Sequence, residues 1–233
     1  MSVLLQLLRW DFTVQIRHGF WVAAAFVLLP WLAVVLSIST EQADFIIPAL
    51  IFLDISIAGT LFMGGVYFFE KREGSLQAQV VTPLKTWQWL ASKVVALTVM
   101  GTVMCVVLVV IKLGIPARWG YVLVATVCIN VLFILIGFVL AAPNERFTDF
   151  FLYFAFAFSV LEIPCLAFFD ISHPLFWILP SQPALVLLRG AFGDMPPARF
   201  TGVLGLQLAW LVVAFHFCLR SFHRNVADRR RGR

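Results

Sequence analysis

Long uninterrupted apolar blocks dominate the chain, separated by short polar connections. Crossing the hydrocarbon layer of a membrane takes roughly 20 apolar residues in a helix, because without water only a helix or a closed barrel satisfies its backbone hydrogen bonds. Six blocks meet that requirement, running roughly from Phe20 to Ile38, Phe45 to Phe69, Leu90 to Ile111, Gly120 to Ala142, Phe150 to Phe169 and Phe200 to Leu219. None shows the period-two alternation of barrel strands, so the pattern predicts an all-α membrane protein with six transmembrane helices in one domain, residues 1–233.

Composition agrees with the pattern. The chain is 62% hydrophobic and 12% charged, where a soluble domain has about 25% charged residues. The first apolar block starts only behind Arg9, Asp11, Arg17 and His18, with no small-residue cleavage site after it, which argues against a cleaved signal peptide. Cys105, Cys128, Cys165 and Cys218 all fall inside predicted spans at unrelated spacings. They read as small core residues rather than disulfide partners or metal ligands, and no metal site or catalytic residue is expected.

Charge sets the orientation, since basic residues near span ends resist translocation and favour the anionic inner leaflet. With the amino terminus inside, the inner face collects Arg9, Arg17, Lys71, Arg72, Lys85, Lys93, Arg146, Arg220, Arg224, Arg229, Arg230, Arg231 and Arg233. The outer face keeps only Lys112, Arg118, Arg189 and Arg199. The expectation is a multi-pass protein of a bacterial cell (inner) membrane with both termini cytoplasmic. The basic tail at 220–233 then reads as an anchor to lipid headgroups and not as a nucleic-acid site.

Three segments do not span. Residues 3–18 place Leu4, Leu7, Leu8, Asp11 and Phe12 on one helical face, which predicts an amphipathic helix lying at the cytoplasmic interface, as an anchor or as a partner contact. Asp11 interrupts its apolar stripe. Residues 70–93 form the longest charged connection on the inner side. Residues 171–199 are broken by Pro174, Pro180, Pro183, Pro196 and Pro197 and suit a re-entrant helical hairpin dipping in from outside, between spans five and six.

The loop after the second span carries the most specific signal: Glu70, Lys71, Arg72, Glu73, Gly74, Ser75, Leu76 and Gln77, then Thr82, Pro83 and, opening the third span, Lys93. It resembles the ABC-2 type transporter permease family, whose members carry an acidic residue, a Glu-x-Gly-Thr-Leu-Glu-like core, a Thr-Pro step and a lysine in that order. Ser75 stands where the family usually has threonine, and Gln77 where it often has a second glutamate. The resemblance implies an ABC-2 permease fold and a coupling helix seated in a separate ATPase, with Glu70, Arg72, Glu73, Gly74, Ser75, Leu76, Gln77, Thr82 and Pro83 as coupling residues. Gly74 permits a tight reversal, Ser75 suits a cap for the turn that follows, and Pro83 favours an extended Thr82.

Weaker likeness to fluoroquinolone-export permeases runs through Leu8, Arg9, Trp10 and Asp11, with Gln15, Arg17, Gly19 and Phe20. It continues at Leu179, Pro180, Ser181, Gln182 and Pro183 and at Leu187, Leu188, Arg189 and Gly190. The chain has no Gly-x-x-x-x-Gly-Lys-Ser/Thr phosphate loop. The resemblance therefore implies a transporter subunit without its own nucleotide site. ATP and Mg would sit in two partner ATPase subunits, beside a second copy of the chain or a similar permease, exporting an amphipathic drug-like or lipid-like cargo.

Two acids stand inside the apolar blocks: Asp54 in the second span and Glu162 in the outer half of the fifth. An ionised acid facing lipid costs about 2.5–3.5 kcal/mol, so both should face protein or water. They line a substrate path, with Lys112 the nearest plausible cation, or they are neutral acids hydrogen-bonded to groups such as Ser56 or Ser159. A competing reading is an ion- or proton-coupled secondary carrier using Asp54 and Glu162 as relays. The remaining polar residues within spans, Thr98, Thr102, Asn130 and Gln207, are expected to hold helices together. Trp10, Trp21, Trp87, Trp89 and Trp119, near span ends, are expected in the interfacial aromatic belt.

Overall fold

The computed structural model describes residues 3–75, 85–114, 118–169, 171 and 173–227. Among these residues the regular structure is entirely helical. The helices are α1 (Val3–Arg17), α2 (Phe20–Ser37), α3 (Thr40–Glu73), α4 (Thr86–Leu113), α5 (Trp119–Ala141), α6 (Phe147–Leu161), α7 (Ser181–Phe192) and α8 (Pro197–Phe222). Short 3₁₀ segments, Ile163–Phe169 and Pro174–Ile178, lie between α6 and α7, and a π-helical turn, His223–Ala227, extends α8.

Five helical stretches are long and apolar enough to cross a bilayer: Phe20–Ser37, Phe45–Glu73, Thr86–Leu113, Trp119–Ala141 and Pro197–Asn225. The expected fifth span is broken in two. Helix α6 ends at Leu161, and the 3₁₀ segment that follows is bent from it by 41°. Pro164 explains the break, since its ring disfavours helical geometry at Ile163 and it supplies no N–H to continue the ladder.

Helix α5 is the centre of the bundle. It is apolar all round, the mark of a helix enclosed by others, and 67% of its most apolar stretch is buried, against 17% for α2 and 11% for α8. Those two helices sit at the rim and expose Val22 and Phe26, and Val212 and Phe217, the faces that lipid would solvate. Around α5 the apolar core falls into two clusters. One is built on Phe52, Ile129 and Phe133 with α7, the other on Tyr67, Trp89, Phe138, Phe150 and Phe222.

A close backbone approach joins α3 to α5. A Cβ at Gly137 would lie 2.6 Å from the Thr60 carbonyl oxygen and 2.9 Å from its Cα, so only glycine admits this approach. The approach lets the Thr60 hydroxyl donate to the Phe133 carbonyl at 3.2 Å. Gly64 likewise makes room for the Phe150 ring, whose Cζ would stand 2.4 Å from an added Cβ. Without a hydrophobic drive between helices in lipid, close backbone approach of this kind is what gains packing energy. The residues expected to hold helices together behave otherwise. Asn130 donates within its own helix to Thr126 at 3.0 Å, and the buried Thr98, Thr102 and Gln207 polar atoms have no hydrogen-bond partner among the described residues.

The helix ends gather in two sets. At one end, Tyr67 donates to the Ala142 carbonyl at 3.3 Å, Lys71 donates to the Asn144 carbonyl at 2.9 Å, and Trp89 packs on Phe222. At the other, Lys112 donates to the Ile38 carbonyl at 2.6 Å, Arg118 donates to the Gly193 and Met195 carbonyls, and Tyr121 meets Phe200 edge-on. In the segment 171–199, Leu175 and Ile178 of the 3₁₀ turn are exposed, whereas α7 is buried, with Ala184, Leu185, Leu187 and Leu188 in the core.

The α3–α5 crossing yields a test. Replacing Gly137 with Val should destabilise the bundle by about 1–3 kcal/mol through overpacking, read as a lowered unfolding midpoint in detergent. Gly120→Ala, where an added Cβ meets nothing within 4 Å, should leave the midpoint unchanged.

Candidate functional site

Three elements distant in sequence converge where α3 ends and α4 begins. Lys93, on the second turn of α4, is paired with Asp11 of α1 and with Glu70 of α3. The arrangement leaves no carboxylate oxygen idle. Asp11 Oδ1 and Glu70 Oε1 each pair with the Lys93 Nζ. Asp11 Oδ2 accepts from the Ser92 hydroxyl, and Glu70 Oε2 accepts from Trp89 Nε1 at 3.2 Å. Asp11, Glu70, Ser92, Lys93 and Trp89 are all buried, at 5% exposure or less. Withdrawing ions from water costs several kcal/mol each, which is recovered only when the geometry is good and the remaining lone pairs are satisfied, as here.

Local sequence explains the convergence. Helix α1 presents Leu4, Leu7, Leu8, Asp11, Phe12 and Gln15 inward, with Asp11 and Gln15 fully buried. Asp11, which breaks the apolar stripe when the helix is read alone, is thus the residue that docks it. Gly19 supplies the reversal into α2 with a left-handed φ of 74°, a conformation that a side chain would strain. Trp89, expected in the interfacial belt, is a buried wall of the cluster, packed on Phe138 and Phe222. Trp87, two residues earlier, is exposed.

The charged connection is shorter than 70–93. Helix α3 continues through Glu73, and α4 already begins at Thr86, its first turn held by the Lys85 N–H donating to Gln88 Oε1 at 3.2 Å. Glu70 is therefore helical and faces inward, while Arg72 and Glu73 are exposed beyond it. Gly74 ends α3 in a left-handed conformation, φ 76°, and its N–H donates to the Lys71 carbonyl. The Ser75 hydroxyl donates backwards to the Glu70 carbonyl at 3.2 Å, so it ties off the helix that precedes it. Leu76, Gln77, Thr82 and Pro83 lie outside the described residues.

The two intramembrane acids do not share a site. Asp54 lines a narrow, partly open cleft among α2, α3, α4 and α5, with Trp31 beside its carboxylate. Glu162, at the end of α6, instead accepts from the Cys165 thiol at 3.1 Å, and its other carboxylate oxygen has no hydrogen-bond partner among the described residues. Lys112, the expected counter-cation, pairs with neither and caps the Ile38 carbonyl. Ser159 turns back on its own helix, donating to Ala155. The cysteines are free thiols, with Cys105, Cys128 and Cys218 buried.

These features define a polytopic all-helical membrane protein whose first helix is locked to the bundle by a buried ion cluster. The chain belongs to the fluoroquinolones export permease protein family, whose model matches residues 2–230. The family is of the ABC-2 permease type, in agreement with the motif that runs from Glu70 to Lys93. Its relatives include the fluoroquinolones export permease proteins of two Mycobacterium tuberculosis strains. Each is 32% identical over 197 residues, covering 84% of this chain and 83% of theirs. The chain is accordingly the membrane component of a transporter.

The ion cluster makes a graded prediction. Lys93→Met strands two buried carboxylates and should cost about 3–5 kcal/mol. Glu70→Gln keeps one acceptor oxygen at the same place and leaves Lys93 its pairing with Asp11, so it should cost less. Thermal unfolding of the purified variants checks the order, and equal midpoints for Lys93→Met and the parent would show the cluster to be idle.

Proposed function

We propose that this chain is the permease subunit of an ATP-driven exporter, moving an amphipathic drug-like or lipid-like cargo out of the cytoplasm. The observation that carries the proposal is the family match along residues 2–230, and the names of the Mycobacterium relatives support a drug-like cargo. ATP and Mg belong to two separate ATPase subunits, and the permease works beside a second copy or a similar chain. The thirteen-to-four division of lysine and arginine in the sequence supports an inner-membrane location with both termini cytoplasmic. On the same reading, α7 is the buried arm of a hairpin re-entering from the outer face.

The buried cluster supports a mechanism for coupling. A push delivered to residues 74–85 by closing ATPases reaches α3 at Glu70 and α4 at Lys93. The same lysine holds Asp11, so α1 moves with both. Three elements then respond as one lever, switching the bundle between two discrete arrangements. Exposed Arg72 and Glu73 are positioned to meet the ATPase, and Gly74 is the hinge. A carrier that relays protons between Asp54 and Glu162 finds less support, because the two acids open on different surroundings.

Reversing the charge of Glu73, or deleting residues 74–77, should leave the permease inserted and bound to lipid but abolish cargo-stimulated ATP hydrolysis in the reconstituted complex. Undiminished stimulation in the deletion variant would remove this loop from the coupling path.

A further inference from the structure

The Asp54 cleft has the chemistry of a receptor for an organic cation. Asp54 retains 9% exposure and stands about 14 Å along α3 from Phe45 at 1.5 Å per residue, well inside the apolar span. Among the described residues it forms no salt bridge. The lysines of α4 are committed elsewhere: Lys112 to the Ile38 carbonyl and Lys93 to Asp11 and Glu70. Trp31 lies beside the carboxylate and brings no charge. A carboxylate so placed is a negative site with no counter-charge among the described residues.

The walls around it suit an apolar body. Ala24, Val27, Ile55, Phe62, Met100 and Met104 line the cleft, offering an aromatic ring for a cation and thioethers that adapt to irregular shapes. Small residues keep the cleft open. Ala58, Gly59 and Gly101 all border it, and a Cβ at Gly101 would fall 2.1 Å from Asn130 Oδ1, so glycine there is what lets the Asn130 carbonyl reach the cleft wall. Since the Asn130 amide nitrogen is held by Thr126, this side chain presents an acceptor, the second group suited to an ammonium.

We propose that this cleft binds amphipathic organic cations, with Asp54 as counter-charge, Asn130 as second acceptor and Phe62, Met100 and Met104 around the apolar body. The inference deepens the export reading by naming a cargo class, and it rests on that reading only for the direction of movement. Polar groups few in number and set in an apolar concavity are the usual make-up of a small-molecule site. The low-dielectric surroundings strengthen an attraction between opposite charges far beyond its value in water.

Tetraphenylphosphonium and tetraphenylborate have nearly the same shape and opposite charge, which makes them matched probes. Equilibrium dialysis of the full chain in nanodiscs, corrected against protein-free nanodiscs, should show saturable binding of the phosphonium and none of the borate. Asp54→Asn should weaken phosphonium binding at least tenfold, and Ala58→Leu, which fills the cleft but spares the charge, should weaken it as well. Glu162→Gln should leave it unchanged. Equal binding of the two probes, or full binding by a folded Asp54→Asn variant, would overturn the assignment. Absent phosphonium binding beside intact ATP-dependent transport sinks the cation site and spares the export reading. Asp54-dependent binding in a complex without ATP-dependent transport supports the site and sinks the export reading.

Discussion

The pairing of one lysine with two carboxylates is the constraint on which the meeting of α1, α3 and α4 depends. Lys93 cannot be buried alone, and neither can Asp11 or Glu70. Each is tolerated only because α1, α3 and α4 meet at one point and because Ser92 and Trp89 satisfy the oxygens that the lysine does not reach. Helix α1 contributes little apolar area and exposes Val3, Leu5, Trp10 and Ile16. Its position is therefore set by charge more than by packing.

The rest of the bundle is organised by a different rule. In lipid the apolar surface of a helix is solvated as well outside as inside, so helices are held by how closely their backbones approach. Gly137 against Thr60 and Gly64 against Phe150 provide that approach around α5 and α3. Where small residues face open space, as at Gly202 and Gly205 of α8, the helix stays at the rim. The same use of small residues opens the Asp54 cleft, at Gly59 and Gly101. Close packing and vacant volume thus lie within a few turns of each other along α3.

Much of the fold was legible in the residues because the bilayer imposes a length and a polarity on any spanning helix. The stretches around Phe20–Ser37, Trp119–Ala141 and Pro197–Phe222 are found by counting apolar positions alone. The bend after Leu161 was hidden by that same count, since Pro164 is apolar by composition but breaks the ladder by geometry. The ends of α3 and α4 were hidden for the opposite reason. Glu70, Lys71, Arg72 and Glu73 read as loop by polarity, yet they continue the helix because Glu70 finds its partners inward.

The sequence by itself determined that this is a helical membrane protein, which way its charges are distributed and which family motif it carries. Those properties are local sums over runs of residues, and they need no knowledge of neighbours in space. Only the tertiary structure decided what Asp11, Glu70, Trp89 and Lys93 are for, and that Asp54 and Glu162 belong to different surroundings. A buried ionic contact depends on the meeting of side chains some 20 to 80 positions apart, and no periodicity along the chain encodes it.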